Sequence, residues 1–550
     1  VVSRIKTYGD KALPLPELTE NQSVAHQTIR KLWESKDVVL LQGITSSGKT
    51  WVYAHLIQQM LEQRKQVLYL IPEIALTYHF IQRLKGYFGA YLQVYHSRFE
   101  KNERVEIWNS VRSSDEPLLI LGARSAQFLP FKNLGLVIVD EEHDVSYKQQ
   151  RPAPRYNGRD ASLVLAKMHG AKVVLGSATP SMESRWLADQ GKYGYVTLNK
   201  RFGEVQLPEI YIHDLRTEHN RGIFSRLMLQ LTRKNLDKGK QVLIFQNRRG
   251  YAPIWLCNQC GWIPECTECD VKLTYHKHNH LLVCHYCAKT YVPPPRCPVC
   301  QNRHLKMPGY GTERIEQDIQ KVFPESKIAR FDYDTTRKKA AYENLLEKVN
   351  EQKVDFIVGT QMITKGLNFD HVGLVGILNA DQLLNFPDHI AHERAFQLMI
   401  QVAGRAGRGR ERGIVIIQTH QPNHPIFEPT LEHDYDAFYS MELKERKAFD
   451  YPPFTRLIRI EVSDKHSTLA QQAAQQLAKA LKQVLGKRVL GPDTPYVSRV
   501  RNRYRQHILL KIERQFPISR IRKIVKEAIE NVHDSKAYKY VRIIADVDPG

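Results

Sequence analysis

Short apolar runs, separated by windows of helical period, fill the first two hundred residues. Val38–Leu41, Val67–Ile71, Leu118–Leu121, Val137–Val139 and Val173–Leu175 are continuous and strand-sized. Between them, apolar positions such as Val52, Leu56, Met60 and Leu61 share one helical face. Continuous apolar strands alternating with helices are the pattern of a parallel sheet covered on both faces. Lys200–Pro208 reads as a linker. A second α/β pattern opens at Gln241–Phe245, breaks near residue 255 and resumes near 305, with strand-like runs at Lys327–Phe331, Phe356–Val358, Leu374–Leu378 and Ile414–Ile417. After residue 425 the pattern changes. Glu442–Phe449 reads as helix and Tyr451-Pro452-Pro453-Phe454 interrupts it. Apolar alternation at Leu457–Val462 and His507–Ile512, with helical windows Gln471–Val484 and Ile518–Val532, predicts an α+β domain.

The expected division is therefore a remnant or linker over 1–16, an α/β domain over 17–200, a second one over 201–254 and 305–430 interrupted by an insertion at 255–304, and the α+β domain at 431–550. A chain of 550 residues is too long for one core. Its 80 Lys and Arg against 58 Asp and Glu, a formal charge of +22, point to a polyanion. An anionic membrane surface is the rival, but no basic amphipathic anchor, membrane-length apolar run or signal pattern occurs.

Chemistry changes the picture at Gly43-Ile44-Thr45-Ser46-Ser47-Gly48-Lys49-Thr50. An apolar run before it and a helical window after it supply the strand–loop–helix setting of a phosphate-binding loop. Backbone N–H groups and the helix N-terminus attract phosphate. Lys49 is expected at the β- and γ-phosphates of ATP and Thr50 at Mg2+. Further on, the run Leu136–Val139 ends in Asp140-Glu141-Glu142-His143. Carboxylates at the end of a buried strand need a cation. Asp140 is placed to hold Mg2+ and Glu141 to orient or deprotonate the attacking water. In Gln401-Val402-Ala403-Gly404-Arg405-Ala406-Gly407-Arg408 the two arginines are spaced to face one site and to stabilise charge on a transferring phosphoryl group. With the phosphate loop on one α/β unit and the arginines on the other, ATP is expected between them.

All eight cysteines form four Cys-x-x-Cys pairs: Cys257/Cys260, Cys266/Cys269, Cys284/Cys287 and Cys297/Cys300. Two pairs close one four-thiolate zinc site, so the region predicts two structural zinc ions with no open position for catalysis. Nested, cross-braced and serial pairings all satisfy the spacing. His276, His278, His280 and His285 are read as bystanders, because eight thiolates fill two sites. The absence of cysteine elsewhere agrees with a reducing cytoplasm.

Taken in order, Gly43–Thr50, Leu70–Thr77, Gly122–Ala126, Asp140–His143, Gly176–Ser181, Gly359–Gly366 and Gln401–Arg408 resemble the motifs of a superfamily 2 helicase. The cysteine region, Tyr451–Phe454 and the terminal Asp546-Val547-Asp548-Pro549 narrow the resemblance to the bacterial replication-restart (primosomal) DNA helicases, from about Leu18 onward. The resemblance implies two RecA-like parallel-sheet domains, a two-zinc insertion and a C-terminal α+β domain. It implies nested zinc sites, Cys257/Cys260/Cys297/Cys300 and Cys266/Cys269/Cys284/Cys287, and assigns Gln22 to the adenine. It implies ATP-driven 3′→5′ unwinding, remodelling of stalled forks and primosome assembly. Forked DNA, single-stranded DNA-binding protein and other primosome components are the implied partners of a monomer. Alternative readings are a duplex translocase that does not separate strands, and a zinc-dependent helicase-loading scaffold. The family carries DNA-binding domains ahead of the motor. Here the motor motifs begin at Gln22 in a sequence opening with Val1, which reads as a truncated chain.

Two further segments are candidates for DNA contact. Tyr147, Lys148, Arg151, Arg155 and Tyr156 interleave aromatic and basic side chains directly after the acidic strand. Stacking on the tyrosines and phosphate contacts at the basic residues would let the segment couple DNA to hydrolysis. Arg499, Arg501, Arg503 and Arg505 share one face if their segment is extended, with Tyr496 and Tyr504 nearby.

Overall fold

The computed structural model describes residues 13–72, 78–96, 99–201, 203, 206–218, 222–247, 256–257, 259–268, 271–276, 280–303, 305–306, 312–331, 339–364, 369–407 and 411–549. Two compact units are defined by internal packing. The first joins the residues up to Pro208 with Gln361–Gly373 and Ile400–Gly413. The second comprises Glu209–Thr360, Leu374–Met399 and Ile414–Gly550.

The first unit is built on seven strands: β1 (Val38–Gly43), β2 (Gln66–Leu70), β3 (Leu92–Tyr95), β4 (Leu119–Gly122), β5 (Leu134–Asp140), β6 (Lys172–Ser177) and β7 (Gly194–Leu198). Their order is β3-β4-β2-β5-β6-β1-β7, and every pairing is parallel. The five predicted runs are all strands, and both faces are packed. Val39, Leu41, Val52, Tyr53, Leu56 and Tyr69 lie in one core cluster, and Leu40, Leu68, Val137, Val139 and Tyr147 in another. The order puts β5 beside β6 and β6 beside β1. The C-terminal ends of these strands carry Asp140, Ser177 and the phosphate loop.

In the second unit, β8 (Glu209–Asp214) and β9 (Gln241–Phe245) precede the cysteine region. The cysteine region holds β10 (Leu256–Cys257), β11 (Thr274–His276), β12 (Leu281–Val283), β13 (Thr290–Tyr291) and β14 (Leu305–Lys306). β11, β12 and β13 form a small antiparallel sheet, and β10 pairs with β14 where the chain enters and leaves. The α/β pattern then resumes with β15 (Ile328–Phe331), β16 (Phe356–Gly359), β17 (Val372–Ile377) and β18 (Ile414–Thr419), giving the order β15-β16-β9-β17-β18-β8. The edge strand β8 lies ahead of Gln241, where the apolar pattern of this unit opens. Its partly exposed face mixes polar residues with Ile210 and Ile212 and lacks a continuous apolar run.

Beyond Ala448 come β19 (Thr455–Asp464), β20 (Val489–Asp493), β21 (Arg499–Val500), β22 (Arg503–Glu513) and β23 (Arg542–Val547). Helices Ser467–Leu485 and Ile518–His533 pack their apolar faces on this antiparallel sheet. The arginine stripe is corrected here. The chain reverses at Arg501 and Asn502, with φ of 50° and 60°, so β21 folds back on β22. Positive φ at two successive residues makes a hairpin turn. Only Arg503 and Arg505 keep the period-two relation within one strand. Arg505 donates to Glu461, and the Arg499 guanidinium lies 5.1 Å from the Tyr504 ring centroid. Among the described residues, no helix is long and apolar enough to cross a membrane.

Candidate nucleotide and zinc sites

β1 delivers the chain into the loop 43–50, and helix Lys49–Glu62 leaves it. Ser46 and Gly48 have positive φ, 65° and 83°, which curls the loop. A Cβ on Gly48 would lie 2.2 Å from Gln22 Nε2, so this position needs glycine for approach as well as for conformation. That closeness is functional: Gln22 Nε2 donates to Ser47 O at 3.1 Å, while its Oε1 accepts from Thr19 N. The expected adenine-reading glutamine therefore also braces the phosphate loop. Lys49 Nζ folds back on Gly43 O at 2.7 Å, within the loop whose N–H groups would hold the β- and γ-phosphates of ATP.

Asp140 ends β5 inside a polar cradle that the sequence reading missed. Tyr53 Oη donates to its Oδ1 at 3.2 Å, Tyr69 Oη to Oδ2 at 3.4 Å and the Glu141 N–H to Oδ1 at 3.1 Å. Burial and the adjacent Glu141 push the Asp140 carboxyl up to about 6, and Lys49 pulls the other way. Burial and Asp140 raise both phenols well above their usual value, so they stay protonated donors. A carboxylate this reluctant to ionise fits a place for Mg2+, which Thr50 and Asp140 would hold and which supplies neutralisation of phosphate charge. Glu141 sits in the left-handed region with φ of 48°, a strained conformation typical of functional positions.

This raised carboxyl has a stability consequence. A group whose folded pKa exceeds its unfolded value of 3.8 favours folding when protonated, and that contribution is lost as pH rises toward 6. In nucleotide-free protein at pH 7.5 the charge costs on the order of 3 kcal/mol. Asp140→Asn should therefore raise the unfolding midpoint at pH 7.5 without nucleotide, with the gain shrinking toward pH 5, while Mg2+-dependent hydrolysis is lost. Thermal unfolding across pH checks this. A midpoint at pH 7.5 equal to or below that of the unaltered chain would contradict it.

The same unit gathers the third motif. Gln401 Nε2 lies 3.3 Å from Glu141 Oε2 and 2.8 Å from His143 Nε2, and His143 Nδ1 lies 2.7 Å from Ser177 Oγ. If Gln401 donates, His143 accepts at Nε2 and donates from Nδ1 to Ser177, which fixes its tautomer. A Cβ on Gly404 would fall 2.7 Å from Thr45, so only glycine lets this segment lie against the phosphate loop. Expected on the second α/β unit, these residues instead pack with the first: Ile400–Gly413 group with the phosphate loop. Arg405 is half-buried there. Arg408 lies outside the described residues.

The proposed DNA-coupling segment divides. Tyr147 is only 1 % exposed, with its Oη 3.1 Å from Leu70 O and 2.7 Å from Asp140 O. It cannot offer a face to a base, which corrects the stacking expectation: its ring completes a core cluster and its hydroxyl ties the segment to the end of β5. Lys148 is also buried, donating to Arg155 O at 3.1 Å, and is corrected as a phosphate contact. Arg151 is exposed, and Arg155 and Tyr156 are half-buried. Tyr156 packs edge-on against Phe128, 61 % exposed, an aromatic partner that the sequence did not single out. At the far end of the segment Arg159 Nη1 donates to Glu142 Oε2 at 2.9 Å and Ser181 Oγ at 2.7 Å. The segment is thus anchored to the acidic strand end on both sides.

In the cysteine region Sγ atoms of Cys257 and Cys300 lie 3.5 Å apart, and those of Cys260 and Cys297 3.4 Å. All four lie within 4.8 Å of one another. Cys266, Cys284 and Cys287 form a second group, with Cys266 and Cys287 3.6 Å apart; Cys269 lies outside the described residues. Four bonds of about 2.3 Å to a tetrahedral zinc require sulfur–sulfur edges of about 3.8 Å. Both groups fit zinc, and the pairing is nested. His280 meets Tyr275 and His285 meets Asp493, away from metal duty; His278 and the His276 side chain are not described.

Two parallel α/β sheets, a phosphate loop facing acidic and glutamine–arginine motifs, and a two-zinc insertion define an ATP-dependent helicase. The DEAD/DEAH box helicase family matches residues 19–185 and the helicase conserved C-terminal domain 309–410. The PriA DNA helicase Cys-rich region matches 266–290, and the primosomal protein N C-terminal domain 447–550. The chain is 39% identical to the replication restart protein PriA of Bacillus subtilis over 98% of its own length and 67% of that protein's. It is 40% identical to that of Haemophilus influenzae over 97% and 72%, and 39% identical to that of Synechocystis over 94% and 64%. The chain belongs to the PriA family, and it is an ATP-dependent DNA helicase with two zinc sites.

Proposed function

We propose that this chain is the motor of a replication-restart helicase that moves 3′→5′, remodels stalled forks in the cytoplasm and starts primosome assembly. Gln401 in contact with both Glu141 and His143 carries the reading. It joins the segment leading to Arg405 directly to the group placed to activate water, which a motor needs if DNA and nucleotide are to be linked. Glu141 orients the water, and Lys49 and Arg405, with Arg408, stabilise the charge that develops on the γ-phosphate. Arg151, Arg155 and Tyr156 meet single-stranded DNA. The zinc module separates strands and docks primosome components, single-stranded DNA-binding protein among them, and the chain acts as a monomer. The relatives' shared name, replication restart protein, supports the cellular role.

Strand displacement on duplexes with a single 3′ or 5′ tail tests direction. ATP-dependent release from the 3′-tailed duplex alone is expected. Release from the 5′-tailed duplex alone would reverse the polarity. ATP-driven displacement of a triplex strand without duplex separation would make the chain a duplex translocase.

A further inference from the structure

The inner zinc knuckle, Cys284-His285-Tyr286-Cys287, reaches beyond its ion. His285 Nδ1 lies 2.7 Å from Asp493 Oδ2, at the end of β20. Tyr286 Oη donates to Asp388 Oδ1 at 2.9 Å and accepts the His389 N–H at 3.1 Å. Burial alone would raise the Asp388 carboxyl, but His389, Arg394 and Tyr286 together hold it well below the usual carboxylate range. Tyr286 thus donates to an ionised, enclosed carboxylate, the stronger class of hydrogen bond.

Asp388 and His389 stand just before the helix Ala391–Ala403. The start of that helix is also held by the Tyr451–Phe454 segment, a motif the nucleotide site leaves unexplained. His389 stacks on Tyr451 with ring centroids 5.0 Å apart, and Tyr286 meets the same ring edge-on at 5.9 Å. Arg446 joins Glu393 at 2.7 Å, Glu442 at 2.8 Å and Pro452 O at 3.2 Å. Zinc knuckle and Tyr451 corner therefore grip one helix start. The same helix carries Gln401 toward its other end, about 15 Å along at 1.5 Å per residue.

We propose that Tyr286 is a positioning residue that makes the inner zinc knuckle follow this helix, so that ATP-dependent displacement of Gln401 and Arg405 reaches the zinc module. The inference rests on the chain being an ATP-driven strand-separating motor. A helix is stiff along its axis, so a shift at one end appears at the other. The hydrogen-bonded Tyr286–Asp388–His389 group passes it on without slack.

The test uses the full chain with Tyr286→Phe and, separately, Asp388→Asn, each shown by metal analysis to hold two zinc ions. Amide hydrogen exchange gives a readout independent of activity. The His389 amide should exchange at least tenfold faster in Tyr286→Phe, with the β11–β12 hairpin still protected. Base pairs separated per ATP should fall several-fold in both variants, with kcat and KM for DNA-stimulated hydrolysis unchanged. Faster exchange with unchanged base pairs per ATP would overturn transmission. Parallel loss of hydrolysis and unwinding would make the contact mere support for the motor. Unchanged His389 exchange would overturn the contact itself. If the unaltered chain separates no strands, the proposed function fails first, and that control distinguishes the two failures.

Discussion

Lys49→Ala is expected to lower DNA-stimulated ATP turnover by about a hundred- to a thousand-fold, the cost of removing one preorganised charge from a developing anion. The fold should be unaffected. Lys49 Nζ donates to the Gly43 carbonyl of its own loop, and its attraction for Asp140 ranks behind burial and Glu141 in setting that carboxyl. Asp140 loses a favourable neighbour, which raises its carboxyl further and weakens its hold on Mg2+. The loss should therefore appear in kcat at saturating ATP and single-stranded DNA, with the unfolding midpoint nearly constant. Turnover like that of the unaltered chain would remove Lys49 from the phosphate site.

The second large effect is at the inner zinc site. Cys266→Ser with Cys284→Ser should reduce bound zinc from two ions per chain to one, since the outer four thiolates form a separate group. Apparent binding energies of about 10–16 kcal/mol make such ions a large share of a small module's folding energy. Among the described residues, Val271, Leu273, Tyr275 and Leu282 are buried around Cys266 and Cys284, with Tyr286 and Tyr291 packed against them, a small apolar cluster for holding the hairpin alone. Hydrolysis should partly survive, because no cysteine lies in the phosphate-loop unit, while strand separation falls further. Equal collapse of both activities in monodisperse protein would mean that the zincs hold up the motor itself.

The nucleotide site was legible where spacing is imposed by local geometry. A loop around phosphates fixes the interval from Gly43 to Thr50, and a strand ending in carboxylates is conspicuous at Asp140. The cradle was not legible, since Tyr53 and Tyr69 lie far from Asp140 along the chain. A signal existed: a phenol inside an otherwise apolar strand or helix face needs a partner. Tyr147 was misread because polar neighbours surround it, although its side chain turns into the sheet end that precedes it. The arginine stripe failed because alternation along a segment holds only while the chain stays extended, and Asn502 was the turn signal passed over. Zinc pairing could not be decided by two-residue spacers, which are the same in every pairing; sulfur–sulfur distances decide it.

The most direct measurement is strand separation on a 3′-tailed forked duplex by the unaltered chain and by Lys49→Ala, with hydrolysis followed in the same samples. The account predicts ATP-dependent release by the unaltered chain and none above background by the variant, with both proteins binding the fork equally. Release that persists in the variant, or needs no ATP, would contradict an ATP-driven helicase.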